Sequence, residues 1–127
     1  MPHKSLVCIG DGDDIGETIE FYLLSNDLEN ASKFSFKVKY AIENIASCAI
    51  SEMQASLIYM AGDDICFVVK QEQAILQKLK LYSSIFQKKT GKTISFGIGR
   101  TPCEASFCLR KAKVSGKGNI VMVGVEE

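Results

Sequence analysis

The chain has 127 residues, 46% hydrophobic and 24% charged, as expected of one globular domain, here taken as residues 1–127, with a single core. Fifteen Lys/Arg balance fifteen Asp/Glu, so no global positive field draws the chain to duplex nucleic acid. No apolar run approaches the length that a bilayer span needs, so no membrane partner is expected.

Met1 to Ile9 has neither a long apolar h-region nor a small-residue cleavage site, and a cytoplasmic location is the expectation. Ser5 to Gly10 is a short apolar run closed by Gly and Asp, which suits a buried strand. Ile15, Ile19, Tyr22 and Leu23 then recur at helical spacing, with Asp13 or Asp14 placed to cap that helix. After a polar break at residues 26–30, Phe34, Val38, Ala41, Ile42, Ile45 and Ala49 form a second amphipathic stripe that ends before Gln54. Ser56 to Met60 and Ile65 to Val69 are β-rich runs joined through Ala61-Gly62-Asp63-Asp64, a hairpin signal.

Ile75, Leu79, Tyr82 and Phe86 mark a third helix closed by Gly91. Thr93 to Ile98 reads as a strand. Thr101, Pro102 and Glu104 then spell a capped helix start. Ala105, Cys108, Leu109 and Ala112 give its buried face, Gly116 ends it, and Asn119 to Val125 is a last strand. The order β-α-α-β-β-α-β-α-β predicts an α+β, ferredoxin-like arrangement with helices on one face of a mixed sheet. Five cysteines without a CxxC pair or a nearby His complement read as reduced thiols rather than a zinc site. His3 reads as incidental, and Arg100, after the fourth strand, either reaches a phosphate or partner or serves the surface.

Charge is divided along the chain. Residues 1–64 hold four Lys/Arg against eleven Asp/Glu, and residues 65–127 reverse this to eleven against four. This fits two solvated faces, or a site where early acids collect cations and late bases collect phosphates. Asp11 ends the first strand, and Asp63 and Asp64 sit at the hairpin tip. Taken singly, Asp63-Asp64 is a polar turn and Asp13-Asp14 an N-cap. If the strands are neighbours, the three carboxylates converge and repel, and a divalent cation relieves them. Gly12 can add a carbonyl, and the run through Asp13, Asp14, Ile15 and Gly16 opens a helix whose amino end suits phosphate oxygens.

Ile9-Gly10-Asp11-Gly12-Asp13-Asp14-Ile15-Gly16 resembles the DGDNxG signature of the palm in the large polymerase subunit of type III CRISPR complexes. Tyr59-Met60-Ala61-Gly62-Asp63-Asp64 resembles its GGDD motif. Residues 94–99 and 112–119 are similar to the SIGVA and AKxxGRN segments of GGDEF cyclases. A palm of this size resembles the minimal CRISPR polymerase family, which is linked to antiviral signalling through cyclic nucleotides. The resemblance implies a polymerase-type palm that builds cyclic di- or oligonucleotides from nucleoside triphosphates, ATP favoured, with two Mg²⁺ or Mn²⁺ ions.

By position it implies Asp11, Asp63 and Asp64 as catalytic metal ligands, with the Gly12 carbonyl auxiliary. Asp13, Asp14, Ile15, Gly16 and Gly62 would line the nucleotide, with Lys113 and Lys117 on its phosphates. Cyclisation needs two nucleotides held as mutual attacker and target, so a homodimer is expected, with a separate effector reading the product. Ala61 replaces the first Gly of GGDD, Ile19 and Glu20 stand where diguanylate cyclases read guanine, and no RxxD motif precedes the hairpin. The alternatives are a diguanylate or mononucleotide cyclase, or a non-catalytic nucleotide-sensing module. Phe21 or Tyr22 is a candidate for a base pocket.

Overall fold

A computed structural model describes residues 5–70 and 74–124; His3 lies outside the described residues. Nine elements follow in the expected order: β1 (Ser5–Gly12), α1 (Ile15–Leu24), α2 (Leu28–Met53), β2 (Ser56–Ala61), β3 (Asp64–Lys70), α3 (Ile75–Thr90), β4 (Ile94–Gly99), α4 (Pro102–Val114) and β5 (Ile120–Met122). The sheet runs β2-β3-β1-β4-β5. All neighbours are antiparallel except β4 and β5, which are parallel. The opening strand is therefore central and beside the hairpin.

Alternation of side chains gives β1 two different faces. Leu6 and Cys8 join Phe67, Ile94, Phe96 and the buried stripes of α2 and α3 in the main core. Val7 and Ile9 face the other way, with Cys66, Val68 and Ala105 of α4. The expectation of helices on one face holds for α1, α2 and α3. α4 is the correction: it crosses the opposite face. Small residues on β4 are the reason. A Cβ on Gly97 would meet the Leu109 nitrogen at 2.2 Å, and one on Gly99 the Ala105 nitrogen at 2.4 Å. The two glycines let the helix lie directly on the strand backbone.

Helix ends follow local chemistry. Asp27 caps α2 by accepting from the Asn30 backbone at 3.1 Å, and Thr101 caps α4 through the Glu104 backbone at 3.1 Å. Glu104 returns to the Arg100 backbone and also pairs with the Arg100 guanidinium. Arg100 thus serves the entry to α4. All five cysteines are free thiols. Leu23, placed on the α1 stripe by periodicity, is half exposed; Ile15, Ile19 and Tyr22 make that helix's contact with the core.

Candidate functional site

The site grows from strand register. β1 and β3 pair with Asp11 opposite Asp64, and the strand continues two residues beyond Gly10 to place Asp11 within the sheet. The hairpin turns through Gly62 and Asp63, with Gly62 at φ 58°, a backbone region that favours glycine. The Gly12 amide donates to the Asp63 carbonyl at 3.0 Å and binds the turn to the central strand. One carboxylate oxygen from each of Asp11, Asp63 and Asp64 lies within 4.8 Å of the other two.

Lys113 offsets the negative charge of this cluster only in part. The hydrogen bond shared with Asp11, followed by burial and the charges of Asp11 and Asp63, pushes the Asp64 carboxyl up to about 7. Burial and then the Asp11 charge also raise Asp63. Hard oxygen donors that resist ionisation side by side fit Mg²⁺ or Mn²⁺.

Asp13 is the opposite case. It accepts from Thr93 Oγ1 at 2.6 Å, Ser95 Oγ at 3.0 Å, the Gly118 amide at 2.9 Å and Lys113 Nζ at 2.7 Å. Burial raises its pKa, but these donors outweigh burial and hold it below the usual carboxylate range. Asp13 caps no helix. Asp14 occupies the N-cap of α1 with φ 61° and makes no side-chain cap bond; its carboxylate pairs with Lys117 instead.

Lys113 reaches across from α4. Its ammonium donates to the Asp11 and Gly12 carbonyls, both at 3.1 Å, and lies 3.1 Å from Asp11 Oδ2. The Gly12 carbonyl therefore already has a donor. A Cβ on Gly12 would meet Ile15 Cγ1 at 2.7 Å, so packing alone requires glycine there. Gly16 differs: it is exposed and has open space where a Cβ would stand.

A cavity of about 680 Å³ runs from Asp11 and Asp63 along residues 12–17 to α4. Lys113 and Lys117 line it as expected, and so does Arg110, which sequence reasoning passed over. The signal existed: Arg110 stands three residues before Lys113 on α4 and shares its face of the helix. A second cavity of about 570 Å³ lies against Phe21 and Tyr22, with Thr18 and Lys92. Thr93 and Ser95 gave no sequence signal, because their role depends on a carboxylate about eighty positions away.

A profile of the minimal CRISPR polymerase domain matches residues 7–123. The chain belongs to the minimal CRISPR polymerase domain family. No curated protein sequence matches it. Among solved structures, the Csm1-Csm4 cassette in complex with one ATP is similar at 26% identity and TM-score 0.70, over 96% of this chain and 21% of that one. The same cassette in complex with cA3 gives 25% identity and TM-score 0.70, over 95% and 21%. The coiled coil and GGDEF domain of DgcB from Caulobacter crescentus, in complex with c-di-GMP, shares the fold at 14% identity and TM-score 0.68, over 95% and 70%. The minimal CRISPR polymerase chain spans about a fifth of the Csm1-Csm4 chains it matches. Among its described residues no helix is long and apolar enough to cross a membrane.

Proposed function

We propose that this chain is a metal-dependent nucleotidyltransferase that joins nucleoside triphosphates, ATP favoured, into a cyclic di- or oligonucleotide second messenger for antiviral signalling. One observation carries the reading: Asp11, Asp63 and Asp64 offer oxygens within 4.8 Å of one another, and Asp11 and Asp63 open onto a cavity also lined by Arg110, Lys113 and Lys117. The solved Csm1-Csm4 structures in complex with ATP and cA3 support ATP as the substrate class.

Asp11, Asp63 and Asp64 are the residues that would hold two divalent cations. Such ions supply neutralisation of triphosphate charge and activation of an attacking hydroxyl. The open approach at Gly16, on the amino end of α1, admits a phosphate to the backbone. Lys117, exchanging its Asp14 partner for phosphate, grips the triphosphate from the turn that follows α4. Lys113 holds the Asp11–Gly12 carbonyls in place and presents its charge beside Asp11. The cavity at Phe21 and Tyr22 receives the base of this triphosphate.

Each new bond joins a ribose hydroxyl oxygen to an α-phosphorus. The bond from that phosphorus to the β-phosphate bridging oxygen breaks, pyrophosphate leaves, and the hydroxyl proton passes to solvent. Only one such acidic cluster occurs among the described residues, so cyclisation draws on two copies facing each other.

The test is incubation with each of the four triphosphates and Mg²⁺ or Mn²⁺, with products resolved by mass. A cyclic adenylate that forms only with metal is expected. Absence of any pyrophosphate-releasing product with all four nucleotides and both metals would remove the reading.

A further inference from the structure

The pairing of β2 with β3 slips by one residue. Ser56 lies opposite Val68 and Leu57 opposite Phe67, but Tyr59 lies opposite Cys66 and Ala61 opposite Asp64. Ile58 is the extra residue of a β-bulge. Because side chains alternate across a strand, one inserted residue exchanges the faces of everything after it. In unbroken register Ile58 would share the face of Cys66, and Tyr59 would turn towards α2 with Ile65. The bulge instead aims Tyr59 at the face that carries Asp64 and Asp11.

On that face Tyr59 stands one pleat behind the row formed by Ala61, Asp64 and Asp11. Residues two apart on a strand are separated by roughly 7 Å, which a side chain leaning along the strand can bridge. Burial, the Cys66 thiol and then the charges of Asp64 and Asp11 all raise the phenol pKa, so the ring feels the acidic cluster. α4 packs on β1, β4 and β5 and leaves this edge of the sheet uncovered. Tyr59 is accordingly 44% exposed, and every residue of β2 is exposed.

The large cavity holds Asp11 and Asp63 between α1 and α4, and Tyr59 is not on its wall. A triphosphate seated there approaches the acids from one side. The hydroxyl that attacks it must arrive from another, and the open β2–β3 face borders the same carboxylates. An exposed aromatic ring at that border can stack on any nucleobase.

We propose that Tyr59 is the stacking platform for the base of the nucleotide that enters as hydroxyl donor in the first joining step, before a facing copy is engaged for closure. The proposal rests on the nucleotide-joining reading above. The bulge at Ile58 is the device that presents the ring. Stacking, rather than the hydroxyl, does the positioning.

The experiment compares Tyr59→Ala and Tyr59→Phe with the intact chain. For Tyr59→Ala, KM for product formation should rise roughly ten- to hundredfold. Affinity for one non-hydrolysable ATP analogue with Mg²⁺ should be unchanged. Tyr59→Phe should retain the parent KM. A Tyr59→Ala variant with unaltered KM, with equally weakened analogue binding, or with a changed sedimentation coefficient would overturn the assignment; the last outcome would make Tyr59 a contact between copies. A second arm needs no turnover. The intact chain, saturated with the analogue, is titrated with adenosine while the Tyr59 ring resonances are followed. They should shift, and silence there with movement at other aromatic rings counts against the platform. A chain that makes no product but passes the adenosine arm would sink only the reaction. A chain that makes product and fails it would sink only Tyr59.

Discussion

Two sets of aspartates, about fifty positions apart in the chain, meet at one end of the sheet, and their surroundings treat them in opposite ways. Asp13 is buried and receives four hydrogen-bonded partners from Thr93, Ser95, Lys113 and Gly118. Its charge is wanted by the fold, and its pKa is depressed. Asp63 and Asp64 are only half-buried, share a border with Asp11, and have raised pKa values. Their charge is a burden on the metal-free fold. A carboxylate that knits two strands and a helix together is structural. Carboxylates that repel each other beside a cavity are ones that a cation would relieve.

That contrast breaks most visibly in turnover. Asp64→Asn and Asp11→Asn should lower product formation by about three orders of magnitude or more, the scale of removing an essential charge at a reacting centre. Both variants should keep the parent circular dichroism, because these side chains carry little of the fold. Either variant turning over at the parent rate would end the metal assignment.

Asp13 should fail in the other direction. Asp13→Ala leaves Lys113 beside two carbonyls without its buried counter-charge and leaves Thr93, Ser95 and Gly118 without their acceptor. Breaking a buried pair from one side costs about 3–5 kcal/mol, so urea unfolding should show a loss of that order. A loss below about 1 kcal/mol would mean that water replaces the carboxylate, and Asp13 would no longer be an anchor.

The smallest effect is the most diagnostic of the contrast. Asp64 titrates near 7 when folded and near the ordinary carboxylate value when unfolded. The folded state therefore holds a proton that the unfolded state has lost between about pH 4 and pH 7, and stability falls as pH rises through that window. Asp13 has the reverse sign: its contribution is complete above its unfolded pKa and is lost only as pH drops below it. In EDTA, calorimetry should show Tm declining from pH 5 to pH 7.5. Mg²⁺ should flatten the decline, and so should Asp64→Asn without metal. An identical slope in the intact chain and in Asp64→Asn would locate the titrating group elsewhere.

Much of this was written along the chain. The element order followed from periodicity and end signals: the stripe from Phe34 to Ala49, the turn at Gly62, Gly91 after α3, and Thr101-Pro102 before α4. These are local decisions, settled by side-chain alternation and by backbone conformations within a few residues. The acidic residues and both lysines were legible for the same reason, since each occupies a recognisable spot at a strand or helix end.

Only the tertiary structure decided what each charge does. Asp13 and Asp14 are adjacent and chemically alike, yet one is an internal anchor and the other a surface partner of Lys117, because donors from positions 93, 95, 113 and 118 converge on one of them. Nothing nearby in sequence announces that convergence. The side of the sheet taken by α4 was hidden in the same way, since Gly97 and Gly99 admit it only once a helix is laid on β4. The bulge at Ile58 is the clearest instance. The run from Ser56 to Met60 reads as a uniform strand, and register against β3 alone determines that Tyr59 faces the acids.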